Sequence, residues 1–90
     1  MIGLGVIGYG YWGPNLARNF AGTSGVKLVA IADGDAARRE VAGAQHPGAR
    51  VHADAAALVA DPAVDAVAVA TPAATHGVLA LAALEAGKHV

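Results

Sequence analysis

The sequence contains no cysteine, which excludes disulfides, thiolate metal sites and a cysteine nucleophile, and agrees with a reducing compartment. Charge is scarce and balanced: Asp, Glu, Lys and Arg make up 14% of the 90 residues and the net charge is −1. There is neither the basic excess that suits nucleic acid nor the like-charge block of a disordered tail. Aromatic residues are few, at 4%, and alanine carries much of the 56% apolar content. The expected core is therefore built from small side chains and buries less area per residue than usual. No apolar run approaches the roughly 18 residues of a membrane helix, and the first predicted strand begins too early for a signal peptide. A cytoplasmic protein with no nucleic-acid partner, no membrane partner and no metal site is expected.

What is abundant is glycine, with 12 residues, and three of them stand in G-x-G-x-x-G spacing at Gly8, Gly10 and Gly13. The motif follows the aliphatic residues Leu4, Val6 and Ile7 and opens a segment with Leu16, Ala17 and Phe20 on one helical face. That strand–turn–helix context is what a dinucleotide-binding loop requires. Gly8 is read as the tight turn, Gly10 as the close approach to a pyrophosphate and Gly13 as the contact between helix and sheet. Pro14 falls in the first helical turn, where its missing N–H costs nothing. The helix N-terminus then aims unpaired N–H groups and partial positive charge at the space over the glycines, where a phosphate fits. Within this loop Tyr9, Tyr11 and Trp12 are included with the glycines as candidate cofactor contacts. Tyr11 and Trp12 either face the nicotinamide or pack against a second domain. Asn15 contacts phosphate or faces solvent.

The next apolar run ends in a carboxylate, Asp33, twenty residues after Gly13. In a dinucleotide fold that position lies beside the adenosine ribose, and a carboxylate there accepts hydrogen bonds from the ribose hydroxyls. It also repels a 2′-phosphate by roughly 4 kcal/mol at an effective dielectric near 20, so the cofactor is read as NAD. Arg38 and Arg39, about a turn further on, keep NADP open. The competing reading of Asp33 is a helix cap or an Asp-Gly turn with Gly34.

Along the chain, strand-like and helix-like segments alternate. Strands are predicted over 4–7, 26–32, 49–52 and 64–70, and helices over 14–21, 35–45, a short stretch through Leu58 and Val59, and 75–86. Asp54 is a good N-cap, Asp61-Pro62 stops the short helix, and Gly87 is placed at C′ of the last one. Repeated β-α alternation argues for an α/β fold, a doubly wound parallel sheet of Rossmann type with right-handed crossovers and strand order 3-2-1-4. Strand four is apolar except for Asp65, as a strand buried on both faces should be. In that order the loop after strand four, with Thr71, Pro72 and His76, faces the glycine loop across the cofactor crevice. Thr71 offers a hydroxyl to ribose or phosphate, Pro72 sets the turn, and His76 sits near a positive helix end, where its neutral form is favoured. The alternative is that Thr75 caps the helix and His76 packs at its start. His46, His52 and His89 show no evident partner in the sequence.

Taken together, these segments resemble the Gfo/Idh/MocA family, the glucose–fructose oxidoreductase, inositol dehydrogenase and rhizopine catabolism group. The resemblance rests on 6–16, on 29–33, on Asp61-Pro62-Ala63-Val64-Asp65-Ala66-Val67, on Thr71-Pro72-Ala73-Ala74-Thr75-His76, and on Ala82, Leu84-Glu85-Ala86-Gly87 and Lys88-His89-Val90. The Tyr11-Trp12-Gly13-Pro14-Asn15-Leu16 version is similar to members acting on sugars, nucleotide sugars or inositols. The resemblance implies a homo-oligomeric two-domain oxidoreductase. In it, residues 1–90 hold NAD(P) and a second domain, absent from this chain, holds a sugar or polyol. The family's Glu-Lys-Pro lysine and its later Asp and His lie beyond Val90, so no catalytic residue is assigned here.

An incomplete fold is also expected on physical grounds. Strand five has only begun at Lys88, strand four would present an unpaired outer edge, and a domain near this size buries only about 60% of its unfolded surface. Two other readings stand beside the dehydrogenase: a non-catalytic dinucleotide-sensing module, and an S-adenosylmethionine methyltransferase, which also pairs a glycine loop with an acid after strand two. The third glycine in register and the Thr-Pro-x-x-x-His loop count against the methyltransferase.

Overall fold

The computed structural model describes residues 2–10, 13–70 and 87–90. Its elements are β1 (Ile2–Ile7), α1 (Gly13–Ala21), β2 (Val26–Ala32), α2 (Ala36–Gln45), β3 (Arg50–His52), α3 (Ala55–Val59) and β4 (Ala66–Val69). The four strands pair in parallel in the order β3-β2-β1-β4, as the alternation of elements predicts. Tyr11, Trp12, Thr71, Pro72, His76 and the helix expected over 75–86 lie outside the described residues.

Local chemistry accounts for the helix starts. Asp35 caps α2 by accepting from the amides of Ala37 and Arg38, at 2.8 and 3.4 Å, and Asp54 caps α3 by accepting from Ala57 N at 2.8 Å. Both satisfy N–H groups that the first turn leaves without helical partners. Asp35 is thus the cap of α2 and not its first residue. β1 starts earlier than expected, at Ile2, because Ile2 N donates to Gly25 O and the residue pairs with Val26.

β4 is shorter than the expected 64–70. Val64 is held in a turn by its amide bond to Asp61 O at 3.1 Å. Asp65 exchanges bonds with Gly3 instead: its amide donates to Gly3 O at 2.7 Å and its carboxylate accepts from Gly3 N at 2.9 Å. Nor is β4 buried throughout, since only Val67 is buried and its neighbours are half-buried. Its outer edge is also not wholly unpaired. His89 forms a parallel bridge with Ala66, receiving at its carbonyl the amide of Val67 (2.7 Å) and donating to Asp65 O (3.0 Å).

The core lies on both faces of the sheet. One face packs Leu4, Val6, Tyr9, Leu28 and Ile31 against Ala17 of α1 and Ala42 of α2, and the other packs Ile7, Ala30, Ala32, Val64 and Val67 against Leu58 of α3. A register shift in β2 makes this division possible. Leu4 pairs with Leu28 but Gly5 pairs with Ala30, so Val29 is an extra residue. A bulge reverses the face sequence beyond it, and Leu28 and Ile31 consequently reach the same side although simple alternation would separate them.

Candidate functional site

The glycine loop leaves the C-terminal end of β1 through Gly8, whose φ of +95° is in the region that L side chains rarely adopt. Gly8 N donates to Ala32 O at 2.7 Å, which keeps the turn against the end of β2. α1 then starts directly against that turn. A Cβ on Gly13 would lie 1.9 Å from Gly8 O, so only glycine permits this approach of helix to strand. Pro14 occupies the first turn of α1, and Asn15 is exposed with its Oδ1 accepting from Arg18 Nη2 at 3.0 Å.

Asp33 follows the last residue of β2 and holds two loops at once. Its Oδ2 accepts from Tyr9 N at 2.7 Å and its Oδ1 from Asp35 N at 2.8 Å. Its own amide donates to His52 O at 3.3 Å, and Arg39 Nη1 donates to its carbonyl at 2.9 Å. The ribose-acceptor and turn readings of this residue therefore do not compete. An ionised carboxylate offers about four lone-pair sites, and the Asx-type turn to Asp35 together with the glycine-loop tie takes two of them. The side chain is almost buried, yet both of its oxygens are hydrogen-bonded, as a buried charge requires.

Tyr9, expected among the cofactor contacts, spends its polar groups inside the protein. Its amide goes to Asp33, its hydroxyl donates to Gln45 Oε1, and its ring stands edge-on to His46 with centroids 6.2 Å apart. The residue is only 3% exposed, and burial raises its phenol pKa. The reason lies in the position after Gly8: the turn aims this side chain down onto the face covered by α1 and α2. Tyr9 anchors the glycine loop to the end of α2.

Between the loop and α2 runs an open groove of about 640 Å³, lined by Tyr9, Gly10, Pro14, Arg38, Val41 and Gln45 together with the start of α2. The guanidinium of Arg38 lies over Gly10, where a Cβ would be 2.9 Å from Nη1, and Nη1 is 4.0 Å from Asp33 Oδ2. The sequence placed Arg38 and Arg39 together; the structure separates them, one over the glycine loop and one bound to the Asp33 carbonyl.

Sequence reasoning missed a second polar centre. Asp61 is 4% exposed and accepts from Ala63 N at 2.9 Å, from Arg50 at 3.3 and 3.4 Å, and contacts His52 Nε2 at 3.1 Å. Its carbonyl accepts from Lys88 Nζ at 3.1 Å. The Ala63 amide foremost, then His52 and Arg50, hold its carboxyl below the ordinary range despite the opposing effect of burial. In the sequence Asp61-Pro62 reads only as a helix stop, because its partners come from β3 and from near the chain end. Among the described residues there is no cluster suited to a metal ion, and no helix is long and apolar enough to cross a membrane.

Residues 2–90 match the family described as "Oxidoreductase family, NAD-binding Rossmann fold". The chain is 43% identical over 88 residues to inositol 2-dehydrogenase 2 of Saccharopolyspora erythraea, covering 97% of itself and 26% of that protein. It is 40% identical over 98 residues to a glycosyl hydrolase family 109 protein of Solibacter usitatus, covering 97% of itself and 22% of that relative. Among solved structures, scyllo-inositol dehydrogenase from Lactobacillus casei with bound NAD(H) and scyllo-inositol superposes with a TM-score of 0.90 at 32% identity, over 100% of this chain and 27% of that one. The chain thus spans about a quarter of the length of these relatives.

Proposed function

The chain belongs to the oxidoreductase family whose NAD-binding Rossmann domain it forms, and on that premise we propose that it holds NAD for hydride transfer at a secondary alcohol carbon of an inositol or sugar. The observation that carries this reading is the bond from Tyr9 N to Asp33 Oδ2, which clamps the phosphate-binding turn to the ribose-binding carboxylate. The described residues fit a dinucleotide. Gly8 and Gly13 bring the start of α1 up to the turn with no side chain between them, and Asp33 keeps lone pairs for ribose hydroxyls beyond the two that the backbone uses. When bound, the dinucleotide supplies the hydride acceptor or donor at its nicotinamide.

The chain's own residues bind and orient. The N-terminus of α1 offers backbone N–H groups and partial positive charge to the pyrophosphate, and Asp33 fixes the adenosine ribose. Tyr9 and Gln45 hold the loop in place from below, which reduces the ordering that a ligand would otherwise have to impose. Thr71, Pro72, His76, Tyr11 and Trp12, the other cofactor contacts expected from the sequence, lie outside the described residues. Polyol binding, proton transfer and subunit contacts are assigned to a further domain, in keeping with the greater length of the relatives. An inositol is favoured as substrate because the named relative at 43% identity is an inositol 2-dehydrogenase. A cytoplasmic site of action agrees with the cysteine-free composition.

The test is NADH formation by the protein as expressed in its native host, with myo-inositol, scyllo-inositol and a panel of aldoses as substrates. Substrate-dependent reduction of NAD supports the reading. Tight NAD binding with no turnover on any polyol or sugar favours a sensing role instead.

A further inference from the structure

The groove between the glycine loop and α2 belongs to the dinucleotide site, and the outer edge of β4 carries its bridge to His89. The Asp61 centre is different. It is a buried carboxylate with several partners, it takes no direct part in holding a dinucleotide, and one of its partners leads back to the cofactor site.

β3 needs an anchor. It is three residues long and lies at the edge of the described sheet beside β2, and a short edge strand of that kind frays readily. Arg50 and His52, two positions apart, put their side chains on one face, and both meet Asp61. Arg50 Nη1 lies 3.3 and 3.4 Å from its two carboxylate oxygens and His52 Nε2 lies 3.1 Å from Oδ2. Asp61 is itself a fixed point: its carboxylate accepts from Ala63 N at 2.9 Å, its amide donates to Leu58 O at 3.0 Å, and its carbonyl accepts from Lys88 Nζ at 3.1 Å. Its carboxyl is held below the ordinary range and is therefore ionised at neutral pH. An ionised carboxylate only accepts, which places the proton of the pair on His52 Nε2. With side-chain exposure of 1% for Asp61 and 22% for His52, the bond is largely shielded from competing water.

His52 meets the cofactor site through its backbone. Its carbonyl accepts from Asp33 N at 3.3 Å, near the long limit of a hydrogen bond, so a retreat of β3 by a few tenths of an ångström breaks it. Asp33 is the residue after β2, and its carboxylate is the group that meets the ribose. We propose that His52 is a positioning residue for the cofactor: Asp61 holds its ring, its carbonyl holds the Asp33 amide, and the ribose-binding carboxylate is thereby kept in place. The inference rests on the dinucleotide reading above and adds to it a residue that acts without touching the ligand. A carboxylate fixed before the ligand arrives spares the ordering that binding would otherwise impose.

The experiment is calorimetric titration of NAD, and of NAD lacking the 2′-hydroxyl of its adenosine ribose, into the protein as its host makes it and into its His52→Leu, His52→Gln and Arg50→Met variants. Urea denaturation of each runs in parallel. The parent binds NAD about fivefold or more tighter than the deoxy analogue, which lacks a hydrogen bond to a charged acceptor. His52→Leu weakens NAD by about fivefold, leaves the analogue nearly unchanged, and so brings the preference below about twofold. His52→Gln, whose amide nitrogen takes the place of Nε2 as donor to Asp61, restores both the affinity and the preference. Arg50→Met loses a contact with Asp61 at the other end of β3, against Ala30, and lowers the urea midpoint without altering the preference. Should His52→Leu fail to fold, His52→Asn, whose donor falls short of Asp61, gives the same reading. A His52→Leu protein that loses stability but keeps the parent's affinity and preference overturns the positioning role and leaves the ribose reading of Asp33 standing. Equal binding of NAD and the analogue by the parent overturns that reading, and this inference falls with it.

Discussion

The backbone amide of Tyr9 donates to Oδ2 of Asp33 across 2.7 Å, joining residues that are 24 positions apart in the chain. One carboxylate therefore links the glycine turn after β1 to the turn after β2, before any ligand arrives. Asp33→Ala is expected to lose both backbone ties and to destabilise the domain by about 2 kcal/mol, since it strips acceptors from two amides. Asp33→Asn keeps one oxygen and should lose less. Urea denaturation of the two variants checks the order, and unchanged stability in Asp33→Ala would show that the two ties carry no weight.

Gly13→Ala is expected to be more damaging. Its Cβ would meet the carbonyl oxygen of Gly8 at 1.9 Å, and backbone on backbone has no flexible group to give way. Moving α1 off the turn should cost about 3 kcal/mol or more and weaken NAD binding by displacing the helix N-terminus. Parallel thermal melts and NAD titrations measure both effects. Unchanged affinity would mean that the helix position is not what holds the pyrophosphate.

Asp61 predicts an acid limit. Its carboxyl titrates below the ordinary value of 3.8 in the folded protein, so the folded state binds the proton less readily than the unfolded chain. The stability this supplies is fully present above pH 3.8 and is lost as the pH falls through the lower folded value. Urea midpoints measured down through this range should fall, and Asp61→Asn should flatten that part of the profile. A variant that retains the full acid dependence would transfer the effect to other carboxylates.

At the alkaline end Tyr9 acts in the opposite sense. Burial raises its phenol above 10.0, so the unfolded chain loses this proton first and stability declines as the pH rises past that value toward the folded one. Tyr9→Phe should remove this decline and cost about 1 kcal/mol at neutral pH through the lost bond to Gln45. Denaturation of both proteins on each side of pH 10 provides the check.

Part of the site was legible without coordinates. The spacing of Gly8, Gly10 and Gly13 after an aliphatic run, and the acid closing the next run, are patterns that each strand-to-turn junction imposes on its own residues. The inward course of the Tyr9 side chain, to Gln45 and His46, was not legible because spacing identifies the loop but not the direction of each side chain. That direction depends on the φ of Gly8 and on the space that α2 leaves beneath it. His46 and His52 looked unpartnered for a related reason, since the ring of one meets Tyr9 and the other meets Asp61 only after the strands have paired.

The sequence by itself determined the alternation and order of the strands, the glycine turn and the Asp54 cap. All of these depend on interactions within a few residues or on a periodicity that the chain repeats. Tertiary structure alone decided the bulge at Val29 that brings Leu28 and Ile31 to one face. It likewise decided the burial of Asp61 among residues of β3 and the separate commitments of Arg38 and Arg39. These follow from strand register and from how closely helices seat on the sheet, where a shift of one residue or a few ångströms exchanges every partner.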